Sequence, residues 1–167
     1  MLKSKLLTLL HVSIMGLLVL GSSNLAAKQG HIKLTSQVQK VITVKTEQGK
    51  LVNKLIVADK VLPGEVVQYT NTFVNISAEG ADNIGITNPI PKHTVYIPNT
   101  AKGDNFNIIY SVDGGKNWEI PSKLKIKNSD GSLRNAKPTD YTHIRWKYKT
   151  SLSPNEKKSV SYQVRLL

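Results

Sequence analysis

The sequence predicts an all-β protein, an antiparallel β-sandwich of two sheets. Most of its periodic segments alternate apolar and polar residues with a period of two, the pattern of a strand that buries one face. Short stretches rich in turn-forming residues, among them LPGE, NPIP, DGGKN and SPNE, separate these segments. No stretch beyond residue 28 carries a convincing apolar stripe at helical spacing. Roughly nine or ten short strands at this spacing are typical of a two-sheet sandwich.

Residues 1–27 have the layout of a secretory signal peptide. Two lysines in MLKSK precede an apolar run from Leu6 to Leu20, and the small residues of GSSNLAA follow it. We expect cleavage after Ala27. An uncleaved membrane anchor is the alternative, but the apolar run is shorter than the roughly 20 residues of a membrane span. The chain contains no cysteine, so we expect an exported domain that packing alone holds together.

The predicted strands follow one another along the chain at residues 39–45, 51–58, 66–75, 83–87, 94–97, 107–111, 123–127, 143–149 and 159–166. The clearest, VVQYTNTFVN at 66–75, places Val67, Tyr69 and Phe73 on one face. HIRWKYK and SVSYQVRL, near the end of the chain, alternate in the same way, and the shorter segments are assigned because turn residues bound them. We expect residues 28–50 to supply an N-terminal arm, loose over KQGHIKLTSQ, and the first strand. Residues 51–167 then form one sandwich domain.

The stretch SVDGGKNW has the spacing S-x-D-x-G-x-x-W, which resembles the Asp-box of sialidases and other β-propellers. A glycan-cleaving propeller needs several blades, and this chain is too short for them. Glycines accept the positive φ angles that a tight hairpin demands. We therefore predict a structural hairpin formed by Asp113, Gly114, Gly115 and Trp118.

Two longer stretches share a pattern of turn, strand and proline. VADKVLPGEVVQYTNTFVN contains a Pro-Gly-acidic turn, an alternating strand with a central tyrosine, and a closing asparagine; ADNIGITNPIPKHTVYI contains a strand and a proline-ended turn. Both resemble the bacterial conserved-repeat family known as domain of unknown function eleven, in its single-copy exported Gram-negative form. The matching positions are Pro63, Gly64, Tyr69, Asn75 and Pro91. The resemblance implies an immunoglobulin-like β-sandwich at the cell envelope, without an established activity. Asn71 stands where the family pattern has an apolar residue, which predicts a locally polar or hydrogen-bonded strand.

The chain is strongly basic, with a formal net charge of +12 that falls by two once Lys3 and Lys5 leave with the signal peptide. Two strands carry cations at alternate positions: Lys123, Lys125 and Lys127 on one, and Arg145, Lys147 and Lys149 on the other. If these strands share a sheet, they form a flat cationic face suited to phosphate or carboxylate groups. The alternative is a solvated lysine face that discourages edge pairing.

Catalytic and metal-binding signatures are missing from the sequence. His31, His93 and His143 stand far apart, no cysteine is present, and no Gly-x-Ser-x-Gly elbow occurs. We therefore predict no enzyme activity, no metal site and no cofactor.

The sequence thus predicts a non-catalytic structural or adhesive module in the periplasm or at the outer surface of a Gram-negative bacterium. We expect it to bind an envelope protein through a sheet edge or the basic face, with Lys28 to Gln39 and the last strand as candidate edges. An anionic glycan or lipopolysaccharide ligand is the alternative, and an envelope enzyme a weaker one. Self-assembly stays open, and we expect neither nucleic acid as a partner in its own cell nor a mature form that spans a membrane.

Overall fold

The structure, a computed structural model, describes residues 32–167 and consists of antiparallel sheets. Its strands are β1 (Ile32–Lys45), β2 (Leu51–Val57), β3 (Val66–Asn75), β4 (Gly85–Pro89), β5 (Thr94–Tyr96), β6 (Phe106–Ser111), β7 (Lys125–Lys127), β8 (Leu133–Asn135), β9 (His143–Tyr148) and β10 (Lys157–Leu166). A five-stranded sheet has the order β2-β1-β3-β10-β5, a three-stranded sheet has the order β4-β9-β6, and β7 and β8 form a separate ribbon. The all-β sandwich is therefore confirmed. The predicted signal peptide, its cleavage site after Ala27, and His31 lie outside the described residues.

The start of β1 corrects one prediction. The stretch predicted as a loose arm is strand from Ile32 onward and pairs with β3 as far as Val41. The larger sheet thus begins at Ile32 and includes the first strand. A second difference is β8, which the sequence does not predict because its few residues show no alternation. Two short 3₁₀ turns, Pro121–Lys123 and Pro138–Asp140, flank the β7–β8 ribbon.

Aromatic and branched side chains fill the space between the sheets. Phe73, Ile144 and Trp146 are fully buried, and Tyr162 is nearly so. The ring of Tyr162 lies 5.8 Å from that of Trp146, and its hydroxyl donates a 2.9 Å hydrogen bond to the carbonyl of Pro89 in the opposite sheet. Contacts of this kind fix how the sheets sit on each other, because a buried hydroxyl needs a partner.

A polar chain crosses the same interface at Asn71. This residue is buried, and its side-chain oxygen accepts a 2.8 Å hydrogen bond from the hydroxyl of Ser36 in β1. Its amide nitrogen donates to the side-chain oxygen of Asn88 in β4. The hydrogen-bonded strand predicted at Asn71 is present, and it places β4 over the β1–β3 pair.

The strand order limits the immunoglobulin-like part of the prediction. In an immunoglobulin domain the last strand lies in the smaller sheet, which contains the C, F and G strands. Here the last strand, β10, lies inside the larger sheet between β3 and β5. The two-layer architecture is shared, and the immunoglobulin-like connectivity stays a prediction. Among residues 32–167, no helix is long and apolar enough to cross a membrane.

Candidate functional site

The two basic strands do not share a sheet. Lys125 and Lys127 lie on β7, which pairs with β8 alone, whereas Arg145 and Lys147 lie on β9, between β4 and β6. Lys123 belongs to a 3₁₀ turn, and Lys149 follows the end of β9. The six cations therefore form two separate groups, and the condition for one continuous sheet face is not met.

Two cations of the β9 group, Arg145 and Lys147, line a cavity of about 490 Å³ on the outer side of the three-stranded sheet. Thr87 of β4 is in register with Arg145, and Gly85 of β4 with Lys147. We call this space the Arg145 cavity; its lining residues are Asn83, Ile84, Gly85, Thr87, Arg145, Lys147 and Tyr148. Because Gly85 has no side chain, the wall opposite Lys147 is open: a Cβ atom built there meets nothing within 4 Å.

Two contacts fix the side chain of Arg145. Its guanidinium carbon lies 3.9 Å from the centre of the Trp118 ring, a cation–π arrangement. Its Nε donates a 2.8 Å hydrogen bond to the hydroxyl of Thr87. The ion pairs formed within the part of the chain that the structure describes involve neither Arg145 nor Lys147. Both cations thus face the cavity without an acidic partner there.

The Asp-Gly-Gly turn places Trp118 over Arg145. Tyr110 and Glu119 pair as an antiparallel bridge, so the segment between them is a hairpin. Asp113 holds this turn, and its pKa lies far below the ordinary value because the carboxylate accepts hydrogen bonds from the backbone N–H of Asn117 and the hydroxyl of Ser111. The indole N–H of Trp118 donates to the carbonyl of Gly115, 2.9 Å away. The predicted hairpin residues thus form one turn, and Trp118 at its end covers the guanidinium group of Arg145.

A second candidate site involves the exposed first half of β1 and the edge of β4 that faces away from β9. Residues 32–38 of β1 pair with β3 on one side only, because β2 covers β1 from Gln39 onward. On the face of β1 that points into the sandwich, Leu34 is 52% exposed and Val38 is 42% exposed, although their neighbours Phe73 and Tyr69 on β3 pack against the core. The smaller sheet does not reach far enough to cover this part of β1.

The edge of β4 that faces away from β9 is unpaired. The carbonyl of Ile84 accepts from the N–H of Tyr148, and the N–H of Ile90 donates to the carbonyl of Thr142. Since hydrogen-bonded residues alternate along an antiparallel pair, the N–H and C=O groups of Gly85 and Thr87 point away from β9. Among the described strands, none pairs with this side of β4.

A cavity of about 600 Å³ joins the two elements, since Ile32 at the start of β1 and Gly85 at the start of β4 both line it together with residues 77–84. Further along, the Ser36–Asn71–Asn88 chain connects the same two strands. We call this trough the β1–β4 groove. Ile32 and Gly85 line the cavity itself. The groove also includes Leu34 and Val38, which follow Ile32 on the same face of β1, and the unpaired edge of β4. Sequence reasoning missed it, although IKLTSQV alternates Ile32, Leu34, Ser36 and Val38 with period two.

The other predicted edge is not available. β10 pairs with β3 over nine positions and with β5 or single bridged residues on its other side. The prediction that the last strand offers a free edge is therefore wrong, because β10 lies inside the larger sheet.

The positions that carry the family resemblance have local structural contacts. Gly64 has a φ of +86°, and its N–H donates to the carbonyl of Leu166. Tyr69 stacks on Tyr162 with ring centres 5.2 Å apart. Asn75 is fully buried and hydrogen-bonded at both side-chain atoms. The carbonyl of Pro91 accepts from Thr94, and Pro63 precedes Gly64 in its turn. Each contact shapes a turn or the core.

Acidic side chains are likewise engaged in turns. The pKa values of Glu65, Asp113, Asp130, Asp140 and Glu156 are all lowered by hydrogen bonds or cations within a few residues or on a neighbouring strand. His93 and His143 lie on different elements. Within residues 32–167, no group of three or more histidine, aspartate or glutamate side chains lies close enough to hold a metal ion.

Comparison with known protein families and with curated proteins finds no match to this chain. The resemblance to the conserved-repeat family therefore stays a prediction from the residues quoted above.

Proposed function

We propose that the protein is a non-catalytic interaction module of the cell envelope that binds an extended segment of a partner protein in the β1–β4 groove. One observation carries this proposal: Leu34 and Val38 are half-exposed on the inward face of β1, in the layer opposite β4, whose edge is unpaired. Export to the periplasm or outer surface belongs to the same proposal and rests on the signal-peptide pattern of residues 1–27.

The groove offers both kinds of contact that strand addition requires. The outward N–H and C=O groups of Gly85 and Thr87 can hydrogen-bond a guest backbone, which supplies affinity without reading sequence. A guest strand on this edge lies over β1, so its inward side chains contact Leu34 and Val38. Full burial of such a side chain stabilises by about 1.5–3 kcal/mol, and roughly half of that is still available where half of the surface is exposed.

The guest therefore has a definable chemistry. Side chains alternate between the faces of a strand, so the segment needs apolar residues at every second position. About five to seven residues suffice to run along Gly85–Pro89, at roughly 3.3 Å per residue. The titratable side chains favour a non-catalytic function. The acids with perturbed pKa values are engaged in turns rather than converging in a cleft, and His93 and His143 lie on different elements.

Site-specific photocrosslinking tests the proposal. A photoreactive amino acid replaces Leu34 in one variant and Leu133 in the control, since Leu133 is also exposed, at 68%, but lies on β8. We expect irradiation of the producing cells to link position 34 to one protein, through a segment with alternate apolar residues. Position 133 gives no such adduct.

A backbone variant separates strand addition from simple apolar contact. Thr87→Pro removes an outward N–H from the edge of β4 and leaves Leu34 in place. We expect it to abolish the adduct at position 34 while the domain still unfolds cooperatively. Equal adducts from positions 34 and 133, or an adduct unaffected by a folded Thr87→Pro variant, contradict the proposal. If the linked protein is a second copy, the same groove mediates self-assembly.

A further inference from the structure

We infer that the Arg145 cavity binds a phosphate group carried by a saccharide. This site goes beyond the protein-binding function proposed above and does not depend on it, because its cations lie on the outer side of the three-stranded sheet. The two sites share Asn83, Ile84 and Gly85 at the start of β4, but the groove follows the edge of β4 that faces away from β9, whereas the cations stand on β9.

The donors in the cavity fit a phosphate. With Nε bonded to Thr87 and the ring of Trp118 against its flat face, Arg145 is held in one orientation. Its two terminal nitrogens have no hydrogen-bond partner within residues 32–167. A guanidinium held in this way loses little conformational entropy when it binds an oxyanion, and its paired N–H groups match two phosphate oxygens.

Lys147 supplies a second cation from the same face of β9. Residues two apart on a strand have Cα atoms about 6.6–7 Å apart, a separation that the long side chains of lysine and arginine close easily. A planar carboxylate offers two oxygens, which one guanidinium satisfies. A phosphate has a third oxygen and more negative charge, so it uses the second cation.

The size and lining of the cavity indicate what the phosphate is attached to. A volume of about 490 Å³ lies within the range of about 300–1,000 Å³ typical of small-molecule sites and is far larger than one phosphate needs. The cavity is also lined by Asn83 and Thr87, which carry an amide and a hydroxyl group. The hydroxyl groups of a sugar ring suit amide and hydroxyl groups of this kind, which both donate and accept hydrogen bonds.

The fluorescence of Trp118 provides a direct readout. The chain has two tryptophans, and the other, Trp146, is fully buried in the core. A phosphate bound to Arg145 changes the environment of the stacked indole. Protein purified from its own cells is titrated at low salt with glucose 6-phosphate, inorganic phosphate and glucose. We expect saturable binding of glucose 6-phosphate, weaker binding of phosphate, and no response to glucose.

Three variants test the location. Lys147→Gln should weaken binding of glucose 6-phosphate by about tenfold, as expected for loss of a charge-assisted hydrogen bond. Gly85→Val keeps every charge but places side-chain atoms in the open wall, and should weaken binding by about fivefold or more. Lys127→Gln removes the same charge as Lys147→Gln from the β7–β8 ribbon, and should change binding by less than about twofold. Calorimetry at the same salt checks each affinity.

Phosphatidylcholine vesicles containing lipid A, which presents phosphorylated glucosamine, test whether the phosphorylated saccharide belongs to a glycolipid. Binding to soluble glucose 6-phosphate indicates a free or polymeric saccharide, and binding only to the vesicles indicates a glycolipid; either supports the site if Lys147→Gln and Gly85→Val weaken it. Equal effects of Lys127→Gln and Lys147→Gln indicate diffuse charge attraction and overturn the inference. So does a folded Gly85→Val variant with unchanged binding, or the absence of binding to every phosphate probe.

Discussion

Replacement of Asn75 by alanine should destabilise the fold strongly. The side-chain nitrogen of Asn75 donates to the carbonyls of Glu79 and Leu152, at 2.7 and 2.8 Å. Its oxygen accepts from the backbone N–H and the hydroxyl of Ser77, at 3.0 and 2.7 Å. The residue is fully buried at the end of β3 and ties that strand to the loop after it and to the segment before β10.

The expected cost follows from what alanine leaves behind. The two carbonyls keep other donors, the hydroxyl of Ser77 and the N–H of Ala81. The backbone N–H of Ser77, a half-buried residue, loses its acceptor, and an unpaired donor costs up to about 1–3 kcal/mol when it is buried. With the remaining lost bonds, we expect a total of about 2–4 kcal/mol, or a fall in melting temperature of roughly 6–12 °C at about 3 °C per kcal/mol.

Denaturant and thermal unfolding, followed by circular dichroism, measure this cost. Asn53→Ala is the matched control, because Asn53 is exposed on β2 and accepts one bond, from Thr43 at 3.1 Å; it should cost less than about 0.5 kcal/mol. If Asn75→Ala is no more destabilising than Asn53→Ala, the structural role argued for this family-motif position is refuted. Lost partner binding with unchanged stability would make Asn75 a ligand-contacting residue instead.

Two further predictions concern packing and pH. Gly103→Ala should destabilise the fold by about 1–3 kcal/mol, because the new Cβ lies 2.9 Å from Val160 and 3.0 Å from Phe106. Gly85→Ala places its Cβ in open space and should change the free energy of unfolding very little. Denaturant unfolding of both variants measures the difference. Asp140 has a pKa of about 2, below its ordinary 3.8, because Arg134 bonds both carboxylate oxygens. A lowered folded-state pKa stabilises above the unfolded value, and that stability is lost as pH falls from about 4 to 2. The melting temperature should therefore fall less over this range in Asp140→Asn than in the wild type, and parallel curves would contradict the assignment.

The strands with a clean alternation could be predicted from the sequence. VVQYTNTFVN forms β3 over the predicted residues, and HIRWKYK and SVSYQVRL lie within a residue or two of β9 and β10. The first half of β1 was missed because its apolar residues lie on an uncovered face and its remaining residues are polar. A hydrophobic pattern identifies strands through burial, so a strand that is open on one side gives a weak signal.

Which strands pair with each other could not be predicted from the sequence, and both candidate sites depend on this pairing. The alternation of the sequence places Arg145 and Lys147 on one face of β9. Only the pairing of β9 with β4 places Thr87 opposite Arg145 and Gly85 opposite Lys147. The same pairing leaves Lys125 and Lys127 on a separate ribbon. Register and sheet order are set by tertiary contacts between distant segments, and a single sequence does not display these contacts. The hairpin at Asp113 was predictable because its turn chemistry is local, but its contact through Trp118 with Arg145 was not.

Amide hydrogen exchange in β4 tests the central claim most directly. The N–H groups of Ile86 and Asn88 bond β9 and serve as controls within the same strand as the outward N–H groups of Gly85 and Thr87. In the free protein, we expect the outward amides to exchange at least about tenfold faster than the bonded ones. Adding the segment captured by crosslinking at position 34 should slow Gly85 and Thr87 and leave Ile86 and Asn88 unchanged. Slow exchange of the outward amides in the free protein, or a bound segment that leaves them fast, would contradict strand addition at this edge.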